Sequence, residues 1–549
     1  MKVVQFIVNR QTLVLDFISK TTNKFLPSLL TPWITTLRIT FNPSGNDTVQ
    51  DCIDIIAESI PRCKDISEIQ ITCDKKFKPS VNAVNLFKAF SLLTNLRVLV
   101  FTLPLDIPNE LVFPLLNTHP LHIFKLPLYK ISSLGIRMAT EALLCAEKLE
   151  DVAFNFEESS EQASGLILRE IESHLRARSI SSTLPWKGEG PYNLVRYSMI
   201  ESIIVNLNYI KNYTFTETFS LSKTIRTLKI TKMTSNEFHI FLKVLEKNNI
   251  LEVLNIGVIR TTEIYDHFAK VLKHNKSLKS LKLYGVSPLL FKAENTPVQN
   301  SIFEALKDNK TLEVLKLKGG ALDIAVIVNN IETNKRLHKL SLKDFRVVSK
   351  NKKIHLSDLI TACKKLTSLS IIHPELPSTL AAEFNLPKQL NAIFNSKAKL
   401  VEVMLSKSLM DRALSLDSSG KKAKLPPFDI SNKHIQKLSI QNIKMPGEML
   451  KILLMSTICR LRDIRLENVG MDDALASTAA DAINYSSTIK NLSFTENVGI
   501  GIQGATTIFL SLKNNKGLLS LDLRGINLSK ENKRALYMKV LIRTVKICL

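Results

Sequence analysis

The stretch Leu278-Lys279-Ser280-Leu281-Lys282-Leu283 places apolar residues at a first position and at the third and fifth positions beyond it. The same spacing starts again at Ile34, Ile66, Leu96, Leu121, Leu149, Ile200, Ile225, Leu251, Leu312, Leu337, Leu366, Leu400, Ile435, Leu461, Ile489 and Leu518. These 17 starts lie 25 to 35 residues apart, except for one interval of 51 between Leu149 and Ile200. One triplet means little in a chain that is 45% hydrophobic. Seventeen at a nearly fixed period mark an internal repeat, and a repeat grows by stacking rather than by adding separate domains.

The content of one unit is clearest before Leu278. Tyr265, Phe268, Ala269 and Leu272 follow the i, i+3, i+4, i+7 spacing of one helix face. Asn275 sits where a helix C-cap belongs. Leu278, Leu281 and Leu283 then continue at strand spacing. The same order recurs in Ile302-Leu306-Asn309-Leu312 and Ile508-Leu512-Asn515-Leu518, so each unit reads as a helix followed by a short strand.

With these residues in view, the chain resembles the leucine-rich-repeat family, in particular its ribonuclease-inhibitor-like subclass, over residues 34–528. The resemblance implies an α/β solenoid shaped as a horseshoe, with a parallel β-sheet on the concave face and helices on the convex face. Five residues after the second Leu the family often places Asn or Cys. This chain has Ile259, Val286, Phe345, Ile443, Val469 and Ile526 there, and Asn only at Asn497 among the units compared. The backbone groups that such an Asn would satisfy must therefore find other partners.

Three regions break the period. Residues 1–33, with alternating Val4, Phe6 and Val8, read as an N-terminal cap on the first unit's open edge. Residues 156–199 hold an amphipathic pattern (Leu166, Ile167, Ile171, Leu175) and a Gly/Pro segment carrying Trp186 and Tyr192. That segment reads either as a degenerate unit, since 51 is close to two periods, or as an insertion offering aromatic anchors to a partner. Residues 284–301 and 406–434 read as excursions, the latter with Asp417-Ser-Ser-Gly-Lys-Lys-Ala-Lys424. Residues 529–549 read as a basic amphipathic capping helix through Leu536, Val540, Leu541 and Val545.

Chemistry-bearing motifs are few. Gly499-Ile-Gly501-Ile-Gln-Gly504, with Asp522 on the next strand, matches the dinucleotide-binding fingerprint in letters. Thr495-Glu-Asn-Val498 separates it from the preceding strand, so it reads as a repeat turn. Asp51-Cys52-Ile53-Asp54 is similar to the nucleophile motif of a bacterial ubiquitin-ligase class, yet it opens a unit helix and reads as a structural thiol. His355 and Asp358 lie close without a nucleophile. The seven cysteines lack metal-ligand spacing, and an odd scattered set does not suggest a disulfide framework. The sequence argues for no enzyme, no cofactor and no metal. No stretch of about 18 apolar residues is present, and the N-terminus lacks a signal-peptide pattern, which predicts a cytoplasmic protein.

The charge pattern is more informative. Lys and Arg exceed Asp and Glu by 24, which favours acidic partners. Strand side chains alternate, so with the Leu residues inside, their neighbours face outward on the sheet. Those neighbours are Lys229, then Lys282 with Tyr284, Lys316 with Lys318, and Lys339 with Lys343. The last three pairs fall in consecutive units and predict a basic stripe. Residues 270–353 hold 18 Lys or Arg against 7 Asp or Glu. Elsewhere the face is mixed, with Glu68, Gln70 and Asp151 before it and Asp463, Arg465, Glu467 and Asp522 after it.

The reading that follows is an intracellular protein-interaction scaffold binding an acidic protein on its concave face. Nucleic-acid phosphate and anionic lipid headgroups are weaker alternatives, because Tyr284 is a lone aromatic where stacking on bases needs several. Two further readings are a small-GTPase regulator resembling the repeat-built Ran GTPase activators and a secreted bacterial effector that binds host proteins. Against the first, the chain from Arg524 onward has seven basic residues and one acid, whereas those activators end in an acidic tail.

Overall fold

The computed structural model describes residues 5–9, 12–16, 26–41, 46–73, 81–103, 105–126, 138, 141–142, 145–146, 148–154, 179–182, 201–205, 219, 222–230, 235–259, 262–285, 299–348, 356–374, 386–395, 399–406, 434–445, 447–455, 460–513, 515, 517–540 and 545–548. They form two compact units, residues 1–257 and 258–549.

In the first unit the strands are β1 (Gln5–Asn9), β2 (Thr12–Asp16), β3 (Thr36–Phe41), β4 (Glu68–Cys73), β5 (Val81–Asn82), β6 (Val98–Phe101), β7 (Leu105–Asp106), β8 (Ile123–Leu126), β9 (Asp151–Phe154), β10 (Ser179–Ser182), β11 (Ser202–Val205), β12 (Thr227–Ile230) and β13 (Val253–Ile259). β1 and β2 pair antiparallel as a hairpin, and β2 lies parallel to β3. From β3 to β13 each main strand pairs parallel with the next, β5 and β7 forming a separate two-stranded piece. β10 falls inside the 51-residue interval and pairs with both β9 and β11. It holds a unit's place in the ladder although its sequence, Ser-Ile-Ser-Ser, has lost the apolar triplet. Trp186 and Tyr192 lie outside the described residues.

The second unit continues with β14 (Ser280–Gly285), β15 (Val314–Lys318), β16 (Ala321–Leu322), β17 (Lys339–Lys343), β18 (Arg346–Val347), β19 (Ser368–Ile372), β20 (Glu402–Ser406), β21 (Lys437–Gln441), β22 (Asp463–Glu467), β23 (Asn491–Ser493), β24 (Ser520–Asp522) and β25 (Lys546–Cys548). Apart from the side pair β16–β18, these form one run of parallel neighbours. Helices link them, among them Thr262–His274, Asn300–Leu306, Ile324–Ile331, Leu386–Asn395, Asp473–Tyr485 and Ile502–Ser511. The last helix spans Lys530–Val540 and does not run to the C-terminus as its amphipathic pattern predicts. β25 follows and pairs parallel with β24. Val545-Lys-Ile547 alternates at strand spacing, and its backbone takes up groups on the open edge of β24.

The repeated triplet is the core. Wherever their side chains are described, all three residues of each triplet are buried, from Ile34, Leu37 and Ile39 to Leu518, Leu521 and Leu523. Opposite them each helix buries its own stripe. In Thr262–His274 that stripe is Ile264, Tyr265, Phe268, Ala269, Val271 and Leu272. Phe345, Ile443, Val469 and Ile526, at the turn position compared above, are also buried. At those turns the chain adds apolar packing in place of a side-chain ladder.

A different Asn row takes over the polar work. Asn248, Asn275, Asn309, Asn334 and Asn515 each stand three residues before a triplet, and all five are buried. Asn309 Oδ1 accepts from Thr311 N (3.1 Å) and Leu312 N (2.8 Å), while Nδ2 donates to Leu272 O at 2.6 Å in the preceding unit. Asn334 repeats this with Arg336 N and Leu337 N, donating to Leu306 O (2.6 Å) and Asn309 O (3.0 Å). One amide thus closes its own helix-to-strand turn and the open carbonyls of the helix before it. In some other units smaller groups stand there. Ser222 Oγ accepts from Ile225 N (3.3 Å), and Cys63 Sγ donates to Thr31 O (3.3 Å).

Asn309→Ala leaves buried backbone donors and acceptors unpaired, and should lower stability by about 3 kcal/mol. Asn309→Asp keeps the acceptor but, once ionised, sets a buried oxygen against the Leu272 and Asn275 carbonyls, so it should not recover the loss; urea unfolding midpoints at neutral pH measure both.

His119 supplies a pH test. It is buried, with Nδ1 2.7 Å from Thr118 Oγ1 and Nε2 3.1 Å from Phe90 O. Burial pushes its pKa below the usual imidazole range, against the pull of the Leu115, Phe90 and Leu93 carbonyls, which favour the charged ring. The unfolded chain then binds the proton more readily than the folded one. The stability from this site is present above the unfolded value of about 6.5 and falls as pH drops through it. His119→Gln should flatten that part of the stability profile between pH 8 and pH 5.

Candidate functional site

The exposed face of β14, β15 and β17 carries the lysines that the alternation predicts. The triplet residues are buried and the residues between them reach the surface, partly or fully, at Lys282, Tyr284, Lys316, Lys318, Lys339 and Lys343. Lys229 has the same orientation on β12 in the first unit, where it lies opposite Ile204 and Asn255.

Register decides which lysines are neighbours. Lys282 lies opposite Lys316, which lies opposite Ser341. Tyr284 lies opposite Lys318, which lies opposite Lys343. Lys339 falls in a third row, between Val314 and Ser368. The expected stripe is therefore a patch two rows deep with Lys339 at its margin. Rows are about 6.6 Å apart along a strand and neighbouring strands about 4.8 Å apart, so four ammonium groups share a small area.

Their partners differ. Lys318 Nζ lies 3.7 Å from Asp344 Oδ2, and Lys339 Nζ lies 3.9 Å from Glu402 Oε2. Lys282, Lys316 and Lys343 have no carboxylate partner among the described residues. Tyr284 stands between two of these lysines. Lys282 Nζ sits 4.8 Å from the centre of its ring and Lys318 Nζ 6.0 Å, within reach of the ring's negative face. The ring is thus occupied by cations of the same chain and does not offer itself as a stacking platform.

A second row escaped the alternation argument. Seven residues beyond a triplet's first position, the backbone turns into the left-handed region at Gly319, Asp344, His373, Asn442, Asn468, Glu496 and Gly525. Each N–H there still donates across the ladder where such a bond is described, as from Asp344 to Ile372 O and from His373 to Ser406 O. Side chains in this row meet from unit to unit: His373 Nδ1 lies 3.0 Å from Asp344 Oδ1, and Asn468 Nδ2 donates to Asn442 Oδ1 at 2.8 Å. The sequence signal was the run of Gly, Asn and Asp at that offset, residue types that tolerate a positive φ.

Farther along the same face a hollow of about 360 Å³ lies over β19–β24. Serines at 370, 439 and 493 leave the room, and Glu402, Lys437, Asp463, Arg465 and Asp522 line it. Its charges are largely matched within the chain: Lys437 with Asp463 at 3.8 Å, Arg465 with Glu467 at 2.6 Å, and Asp522 with Arg524 at 2.7 Å. The hollow carries charges of both signs and is close to neutral.

The remaining motifs acquire structural roles. Asp473 of the preceding unit accepts from Gly501 N at 2.7 Å and Gly504 N at 2.9 Å, so a carboxylate of the chain fills the anion position at this helix start. A Cβ on Gly504 would stand 2.5 Å from Asp473 Oδ1, and one on Gly499 2.6 Å from Met471 O. Gly504 makes room for Asp473, and Gly499 for the Met471 carbonyl. Asp522, the would-be ribose partner, accepts from Arg524. Cys52 is fully buried, and burial, reinforced by Asp51, pushes its thiol far up, which keeps it protonated. His355 lies outside the described residues. Among the described residues no group of three or more His, Cys, Asp or Glu could hold a metal ion, and no helix is long and apolar enough to cross a membrane.

Comparison with known proteins gives structural matches alone. No family model matches the chain, and no curated protein matches it. Among solved structures, one similar chain is the actin-binding site 2 of leiomodin-1, at 21% identity and TM-score 0.16, covering 20% of this chain. This chain spans 64% of that one. Another is a leucine-rich-repeat protein of Leptospira interrogans, at 12% identity and TM-score 0.30, covering 97% of this chain and 93% of that one.

Asp473→Ala should destabilise the second unit by about 1–2 kcal/mol, the usual worth of a lost helix N-cap acceptor. Gly504→Ala should cost a similar amount by displacing the same carboxylate. The double variant should cost less than the sum, as a double-mutant cycle in urea would show.

Proposed function

We propose that the chain is a protein-interaction scaffold whose second unit docks an acidic segment of a partner protein on the exposed face of β14, β15 and β17. One observation carries this reading: Lys282, Lys316 and Lys343 stand on adjacent strands with no carboxylate partner among the described residues, beside a tyrosine that braces Lys282. Closely spaced cations at the surface repel one another, and an incoming polyanion relieves that repulsion while adding Coulomb attraction. The parallel ladder and buried triplets hold the cations at fixed spacing, so little ordering cost falls on the protein side when the partner binds.

Finer features of the reading follow the repeat itself. Units with full helices, such as Thr262–His274 and Asp473–Tyr485, support a ribonuclease-inhibitor-like solenoid with the sheet on the inner face of a horseshoe. Cys52, Cys63 and Cys363 are free and buried, in keeping with a reducing compartment such as the cytoplasm.

Fluorescence anisotropy with a labelled oligoglutamate peptide tests the docking face. The variant carrying Lys282→Glu, Lys316→Glu and Lys343→Glu should bind at least about tenfold more weakly, given that close charge pairs contribute about 1.5 kcal/mol or more each. Wild-type binding should weaken steeply with added salt. Lys229→Glu, in the other unit, should leave it unchanged. Equal binding by wild type and the triple variant would refute the proposal.

A further inference from the structure

Two of the lysines in the patch are already engaged by carboxylates of the chain itself, and the arrangement around one of them is not what a stabilising surface ion pair needs. Asp344 sits in the left-handed region at φ 51°, directly after β17. Its N–H is tied to Ile372 O at 2.8 Å, which fixes the side chain at the strand end. One carboxylate oxygen faces Lys318 at 3.7 Å, a loose contact beyond ordinary hydrogen-bond length. The other meets His373 Nδ1 at 3.0 Å. His373 is itself in the left-handed region, at φ 48°, with its N–H on Ser406 O at 3.0 Å. The close partner of Asp344 is therefore His373, and Lys318 is held only weakly.

We infer that Asp344 is a resident competitor for the acidic partner: its carboxylate stands in for one carboxylate of the incoming segment at Lys318, and the partner displaces it to engage that lysine. The inference rests on the docking proposed above. The exchange is easy because Asp344 keeps His373 and its backbone anchor when Lys318 leaves. Lys318 is also already poised toward the neighbouring cations, 6.0 Å from the Tyr284 ring and opposite Lys343 in the ladder. At the margin of the patch Glu402 is less free to play the same part. It lies 3.9 Å from Lys339, and its other contact is a hydrogen bond from Ser368 Oγ at 3.1 Å. A partner with one or two carboxylates gains only the three unpaired lysines. A longer acidic run also recruits Lys318, so the resident carboxylate selects for length of the acidic segment.

The test is the oligoglutamate anisotropy assay with Asp344→Asn. Asparagine tolerates a positive φ, so the backbone is kept, and Asp344→Gly serves as a second variant that removes the carboxylate without a side chain. Both should bind the peptide roughly two- to fivefold more tightly than wild type, the range spanned by an exposed ion pair. Lys318→Ala should abolish that gain in the Asp344→Asn background and change wild-type affinity little. Asp308→Asn adds the same unit of charge at a carboxylate paired with Lys273, 2.7 Å away, in the turn after the helix Asn300–Leu306. It should leave affinity unchanged. Unchanged or weaker binding by both Asp344 variants, with the Lys282, Lys316 and Lys343 reversal still abolishing binding, overturns the competitor role and leaves the docking face standing. Tighter binding that Asp308→Asn reproduces overturns it as well, since net charge alone then explains the gain. No loss on reversal of the three lysines overturns both.

Discussion

Each unit of this chain must bury the junction between a helix and a strand, and a buried junction leaves backbone N–H and C=O groups that water cannot reach. The Asn275, Asn309 and Asn334 row resolves that constraint. Asn309 and Asn334 each use both halves of the amide, accepting from the turn below and donating to the helix of the preceding unit. The apolar triplets supply most of the burial, yet apolar burial has no direction. The amides add direction where they occur, tying the turn of one unit to the helix end of the unit before it.

The basic patch depends on the strand register. Lys282 meets Lys316, and Lys318 meets Lys343, only because β14, β15 and β17 pair without offset between triplets. A slip of one residue would turn the lysines inward and the Leu residues out. Stability of the core and composition of the face are thus a single choice of register, which explains how one unit's alternation places charge and core together.

Much of this was legible in the sequence. The period, the triplets and the helix-then-strand order were plain because they depend on residue spacing alone, and Asn275 stood out at the end of its helix. β10 was less plain: Ser-Ile-Ser-Ser has no apolar triplet, and its strand is established by pairing with β9 and β11. The lysines could be assigned to a face, but not to rows, because register is a relation between units and the insertions shift it unpredictably. Asp344 and His373 were invisible as a pair, being 29 residues apart and joined only through a backbone turn. The glycines of the 499–504 motif match a ligand cradle in letters, while their spacing from the strand marks a repeat turn, and the physical requirement they share with such a cradle, room for an anion at a helix start, is real. The anion is Asp473, contributed one unit earlier.

The left-handed residues at the strand ends have a broader consequence. At Gly319, Asp344, His373, Asn442, Asn468, Glu496 and Gly525 the backbone adopts one conformation across five residue types. Main-chain shape and side-chain chemistry are therefore decoupled there. A row of positions at constant pitch can be rewritten among glycine, asparagine, aspartate and similar residues while the scaffold stays as it is. Such a row is a place where recognition can drift without refolding, and at Gly319 and Asp344 it borders Lys318 and Lys343 of the basic patch.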